Sequence, residues 1–295
     1  MEGQPMTYGT SWELPILLPL TNEAGTVTKY IFMISPAPAG LADNKVYYFI
    51  GDFDAETGRF TPDENFDNDP ALLDYGCNVF TGPSVFVDPQ SGDVCVFSIM
   101  QDQRTGAEEG AAEWAHCVGL TRKLWLNDAG TDVKMSPIDA LQTLEGTVLA
   151  EGQNLTLEQA NDMLADVKGD MLYVRAVFVA DDAGAFGISL KSDGDSDRTS
   201  YTYDAGTRTI AGDTSNKGSA ASLNHVSGPL SLEDGKLCME IYIDRSLVEA
   251  YFNDTRSISM RAYGDHDSQG IQLFSDGNVL VESLYVTKMQ SIYGE

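Results

Sequence analysis

Leu237-Cys238-Met239-Glu240-Ile241-Tyr242-Ile243 alternates inward-suited and outward-suited side chains with a period of two. Successive side chains of an extended strand point to opposite faces, so this pattern predicts a strand with one face buried. Runs of the same kind surround it at 171–179, 186–191, 199–203, 247–252, 257–262, 271–274 and 279–286. Asp, Gly and Ser turns separate them, and short strands at this spacing predict a two-sheet β-sandwich. Immediately upstream the pattern breaks. Residues 155–164 carry helix formers, and Thr156 followed by Gln159 fits a capping box, so a short helix is expected there.

Further upstream the β pattern resumes. Lys29-Tyr30-Ile31-Phe32-Met33-Ile34-Ser35, Lys45-Val46-Tyr47-Tyr48-Phe49-Ile50-Gly51 and Val94-Cys95-Val96-Phe97-Ser98-Ile99-Met100 are rich in β-branched and aromatic residues. Turn clusters such as Pro36-Ala37-Pro38-Ala39-Gly40 and Pro89-Gln90-Ser91-Gly92-Asp93 bound them. This is the signature of an all-β sandwich, barrel or propeller. At about 40–45 residues per four-stranded blade, residues 10–145 would hold roughly three propeller blades. Three segments are therefore expected: a β domain over 1–150, a helical linker over 151–169 and a sandwich over 170–295.

The 295 residues include 45 Asp and Glu against 18 Lys and Arg, a formal net charge of −27. Such a chain repels phosphate backbones and anionic lipid surfaces, which excludes nucleic acid and membranes as first partners. A 42% hydrophobic content supplies a core and excludes simple disorder. The first eight residues have neither a basic nor an apolar segment, so no secretory signal is read and a cytoplasmic location is expected for the chain as given. An extracellular location stays open if the native start lies upstream. Cys77, Cys95, Cys117 and Cys238 are widely spaced without a CxxC pair, which argues against zinc and predicts buried thiols. The Asp193/Asp195/Asp197 spacing resembles a calcium loop, but Arg198 stands where an EF-hand needs Gly, and a hairpin turn is expected instead. No metal or cofactor is expected.

Among the many carboxylates Glu13 stands apart by its neighbours, Trp12 on one side and the apolar run Leu14-Pro15-Ile16-Leu17-Leu18-Pro19-Leu20 on the other. A carboxyl held against an indole in an apolar setting has its charged form disfavoured, which is how a glycosidase keeps a general acid protonated. The alternative is a solvated glutamate at the rim of a strand.

Five stretches in order resemble glycoside hydrolase family 32, the β-fructofuranosidases. Trp12-Glu13-Leu14-Pro15-Ile16-Leu17-Leu18-Pro19-Leu20 is similar to the family's W-E-C-P-D-L-F-P-L segment. Tyr48-Phe49-Ile50-Gly51-Asp52-Phe53-Asp54 with Phe60-Thr61-Pro62 resembles Y-F-I-G-D-F-D…F-x-P, and Leu73-Asp74-Tyr75-Gly76 resembles L-D-Y-G. Arg122-Lys123-Leu124, preceded by Trp114, resembles the R-E-L that closes the propeller. Ile243-Asp244-Arg245-Ser246-Leu247-Val248-Glu249 resembles V-D-R-S-S-V-E of the family's sandwich. The resemblance implies a five-bladed propeller followed by a sandwich, with Glu13 as general acid/base and Trp12, Asp74 and Tyr75 on the substrate side. It implies sucrose or a fructan as substrate and no cofactor.

The departures shape the expectation. The family's nucleophile (in W-M-N-D-P-N-G) and its transition-state-stabilising Asp (in R-D-P) precede the W-E-C-P segment, and eleven residues precede Trp12 here. Asn68-Asp69-Pro70 shares three letters with the nucleophile segment but lacks its flanking residues, and is read as a decoy. Leu14, Ile16, Asn78 and Phe80 replace the family's Cys, Asp, Asp and Tyr. The expectation is a truncated, about three-bladed propeller plus the sandwich, inactive alone. The alternatives are a split enzyme completed by another chain, or a non-catalytic fructan-binding module. A truncated ring exposes apolar blade faces, so a homodimer or higher closed oligomer is expected, with Tyr8 and residues 12–20 near the contact.

Overall fold

The computed structural model describes residues 8–9, 11–37, 44–66, 69–76, 78–180, 182–194, 198–214, 225–263 and 269–293. Asn68, Cys77, Asp195 and Asp197 fall outside them. The chain forms two compact units, one of Met1–Asp102 with Ala115–Ile138, the other of Gln103–Trp114 with Asp139–Glu295.

Unit one contains two antiparallel meanders. The first runs β1 (Ser11–Thr21), β2 (Thr28–Ala37), β3 (Tyr47–Asp54) and β4 (Arg59–Pro62), with a short β5 (Ala71–Leu72) paired to β3. The second is built from β6 (Phe80–Val87), β7 (Val94–Met100), β8 (Cys117–Val118), β9 (Arg122–Leu126) and β10 (Val133–Pro137). Its strand order is β6-β7-β9-β10, with β8 on the end of β7. The expectation of roughly three blades is corrected to two such sheets among the described residues. Each consumes more chain than a minimal blade, because long connections interrupt the strands, notably between β2 and β3 and between β7 and β8. The core is apolar on both sheets: Ile31, Met33, Val46, Ile50, Val96, Met100, Val133 and Met135 are fully buried.

Unit two is a sandwich. One sheet has the order β11-β21-β12-β17-β18-β19 and the other β16-β15-β14-β13-β20. The strands are β11 (Glu145–Thr156), β12 (Met171–Ala180), β13 (Ala185–Ser192), β14 (Thr199–Asp204), β15 (Thr209–Asp213), β16 (His225–Pro229), β17 (Lys236–Asp244), β18 (Leu247–Phe252), β19 (Arg256–Arg261), β20 (Gly270–Ser275) and β21 (Val279–Met289). In β17 the alternation is realised as read: Leu237, Met239, Ile241 and Ile243 are buried, while Cys238, Glu240 and Tyr242 are half-buried. Phe178, Phe186, Tyr203 and Tyr201 join the two sheets' aromatic core, with Phe178 and Phe186 ring centroids 5.4 Å apart.

The helix read at 155–164 is α2 (Leu157–Leu164), and both halves of its capping box form. The Thr156 hydroxyl accepts the Gln159 N–H at 3.2 Å, and Gln159 Oε1 accepts the Thr156 N–H at 2.9 Å. The strand before it, β11, pairs with β21 from Glu145 to Thr156, so this helix lies inside unit two and the units divide at Ile138/Asp139. A second helix, α1 (Gly106–Ala112), also belongs to unit two. Of the thiols expected inside, Cys95 is buried and Cys238 half-buried, whereas Cys117 is exposed because β8 is a two-residue strand at a sheet margin.

Candidate functional site

Glu13 is the third residue of β1 and is exposed to solvent. It is opposite Ser35 on β2, and the register slips by one residue between Glu13 and Ile16. The slip is a β-bulge at Leu14, whose φ of 51° is left-handed without being glycine. Bulges re-aim side chains and recur beside active sites, and a left-handed non-glycine residue is strain the surroundings must hold. The second sheet repeats the device. Its first strand, β6, slips between Thr81 and Ser84, with Gly82 at φ +57°. The Gly82 N–H donates to the Ser35 hydroxyl at 3.4 Å, and the Ser98 hydroxyl braces Thr81 by donating to its carbonyl at 2.7 Å and accepting its N–H at 3.0 Å.

Trp12 precedes Glu13 and is half-buried. Its indole N–H donates to the Tyr8 carbonyl at 3.1 Å, and its ring lies 6.2 Å from those of both Phe32 and Phe49. Tyr8 in turn packs on Tyr47 at 5.2 Å. Tyr47 pairs with Ile34 on one side and Leu72 on the other. Glu13 faces Ser35, and the next residue of β2, Ile34, faces Tyr47, which in turn faces Leu72, so the two rows run side by side at one end of the sheet. The turn holding Asp74 and Tyr75 leaves the sheet at that same end.

The four residues singled out thus share one end of the first sheet, but they differ in access. Tyr75 is half-buried, while the Asp74 side chain is 1% exposed. One Asp74 oxygen accepts the Gly76 N–H at 2.8 Å, and the other accepts from Arg122 Nη1 at 2.9 Å. Arg122 is itself fully buried, its guanidinium 4.2 Å from the Phe80 ring centroid. This ion pair across 48 positions of sequence ties the turn after β5 to β9, a link the sequence reading did not make. An open apolar groove of about 650 Å³ begins one residue beyond Glu13, lined by residues 14–18 of β1 and 83–87 of β6. Leu14, Leu17, Phe86 and Val87 are exposed there. Among the described residues, no three His, Cys, Asp or Glu side chains cluster as metal ligands would.

Residues 1–137 match the family model "Glycosyl hydrolases family 32 N-terminal domain", and residues 140–288 match "Glycosyl hydrolases family 32 C terminal". The chain belongs to glycosyl hydrolase family 32. Among its relatives in that family is the levanase of Bacillus subtilis (strain 168), 26% identical over 98% of this chain and 44% of the levanase. The extracellular exo-inulinase of Aspergillus ficuum is 24% identical over 93% of this chain and 54% of the inulinase. Fructan 1-exohydrolase IIa from Cichorium intybus superposes with a TM-score of 0.80 over 95% of this chain and 62% of the exohydrolase, at 14% identity. At that identity the likeness is one of fold, an all-β family 32 architecture. The chain spans about half the length of the curated relatives it matches.

Proposed function

We propose that this chain carries the acid/base half of a β-fructofuranosidase site of the sucrose or fructan class. Glu13 is the proton donor to the leaving-group oxygen. Trp12 and Tyr75 stand on the substrate side, and Asp74 contributes to substrate binding by fixing the turn that presents Tyr75. The observation that carries the reading is the placement of Glu13: solvent-exposed on β1, following Trp12 in sequence, and directly ahead of the left-handed bulge at Leu14.

A retaining glycosidase needs a second carboxyl about 5–5.5 Å from the first, since one forms the covalent intermediate while the other moves the proton. The nucleophile string W-M-N-D-P-N-G does not occur in the 295 residues. The chain by itself is therefore proposed to hold sugar without turning it over. Sucrose, inulin or levan hydrolysis by the purified chain that vanishes in Glu13→Ala would overturn that statement. The role of Glu13 is tested in a chimera that supplies the part of the Bacillus subtilis levanase left uncovered by the match. The chimera is expected to hydrolyse levan, and Glu13→Gln to slow it by about 10²–10⁴-fold. Undiminished turnover with Gln at position 13 would overturn the assignment.

The exposed apolar groove supports a second reading, that copies of the chain associate through this face. Contiguous exposed apolar surface marks an interface, and two-fold dimers are the commonest closed assembly. Light scattering at micromolar concentration is expected to give twice the 32.0 kDa of one chain. A stable mass of one chain defeats this reading.

A further inference from the structure

We propose that Ser35 is a positioning residue for Glu13: its hydroxyl holds one carboxylate oxygen, so that the other carries the proton toward the leaving group. The role rests on the acid/base reading of Glu13 given above; the hydrogen bond itself rests on local geometry. Ser35 on β2 is directly opposite Glu13 on β1, the last matched pair before the register slips. Directly opposed residues of an antiparallel pair share a face, with Cβ atoms about 4.5–5.5 Å apart. A serine hydroxyl and a glutamate carboxylate meet across that gap by side-chain rotation alone.

Ser35 is 8% exposed, so its hydroxyl is a buried group. The oxygen accepts the Gly82 N–H at 3.4 Å, while the hydroxyl proton has no acceptor among the described residues. Alternation along β2 puts Met33 and Ile31 on the same face, both fully buried and apolar, so neither supplies one. A hydroxyl has one proton to give, and a buried donor left unpaired is costly. The Glu13 carboxylate, directly opposite and otherwise in solvent, is the acceptor that the register provides. A hydroxyl donating to an ionised carboxylate makes a short, strong bond.

The link runs from Gly82 N–H to Ser35 and from Ser35 to Glu13, so the bulge of the second sheet sets the serine and the serine sets the carboxylate. A solvated glutamate turns among several rotamers. Pinning one oxygen removes that freedom before a substrate arrives and leaves the second oxygen to move the proton. When the acid/base residue of a retaining glycosidase later takes a proton from water, the same bond keeps it in place.

The hydrogen bond is tested on the full chain, without any turnover. With glutamate carboxyl carbons labelled by carbon-13, Glu13 is the resonance lost in Glu13→Gln. Ser35→Ala is expected to move that resonance at neutral pH, and Ser35→Thr, which keeps the hydroxyl, to leave it in place. Should Ser35→Ala not fold, Ser35→Cys replaces it, with a similar volume and a weak donor. A resonance indifferent to Ala and Cys overturns the bond, and so does one moved equally by Thr. The role is read in the levanase chimera. There Ser35→Ala is expected to lower kcat about tenfold or more, the worth of one hydrogen bond to a charged group, with KM unchanged and with rescue by Thr. Added to Glu13→Gln, Ser35→Ala is expected to cost nothing further. Losses that multiply across the two substitutions overturn the positioning role. Full turnover in Glu13→Gln alone is the separate result that overturns the reading of Glu13, and the role of Ser35 falls with it.

Discussion

Leu14 and Gly82 sit at matching bulges on the first strands of two sheets, both left-handed, with the Leu14 Cδ1 methyl 3.5 Å from where a Cβ on Gly82 would stand. That distance is ordinary van der Waals contact, so an alanine at 82 meets room but not a favourable backbone. Gly82→Ala is expected to lower stability by about 1–2 kcal/mol, the cost of a left-handed L-residue. Urea unfolding checks it, and an unchanged midpoint would show that the bulge relaxes.

The buried Asp74–Arg122 pair makes a sharper prediction. Removing one partner takes the ion pair away from a charge that stays in the core, which costs about 3–5 kcal/mol. Asp74→Ala and Arg122→Met are each expected to lose stability in that range by denaturant unfolding. The double substitution Asp74→Leu with Arg122→Met is expected to lose less than the sum of the two.

Raising the pH should destabilise unit two. Burial pushes the Cys238 thiol up to about 12, and burial followed by the nearby Glu240 charge raises Tyr173 and Tyr242. Tyr203 is raised by burial, and Tyr285 chiefly by the hydrogen bond its hydroxyl gives to Glu145. For a group raised on folding, the stabilisation is complete below the unfolded value and is lost as pH rises through the folded one. The unfolded values are about 8.5 for Cys and about 10 for Tyr, so the melting temperature is expected to fall progressively above about pH 9. A flat profile across that range would contradict these environments.

Thr156→Ala removes one half of the capping box on α2 and is expected to cost about 1 kcal/mol, with Thr156→Ser restoring most of it. Thermal unfolding of the two variants side by side measures the difference.

The strands and the Thr156 cap were legible because their signals are local. The alternation of 237–243 survives in β17 residue by residue, and Thr156 with Gln159 closes as its spacing predicts. The helix α1 carries the same kind of signal in Thr105 and Glu108, yet its Gly and Ala content and its lack of buried residues hide it among β-runs. Blade count failed because long connections inflate each sheet beyond the minimal repeat. At the site, Trp12 and Glu13 were visible as neighbours. The left-handed turn at Leu14 was not, since no residue type announces it, and neither was the Asp74–Arg122 pair, which only the tertiary fold brings together.

The position of β21 bears on how the protein is made. The last-translated strand of the six-stranded sheet inserts between β11 and β12, pairing with both along nearly its whole length. While a ribosome is still synthesising the chain, β11 has no sheet neighbour and β12 lacks one of its two. Unit two must wait for Met289 to emerge before this sheet can close, whereas all the strands of unit one have been translated by Pro137. Nascent chains therefore carry an open apolar sheet from the emergence of β17 until β21 follows, and a message stalled or terminated in that interval would release a product with the sheet unsealed, suited to aggregation or proteolysis.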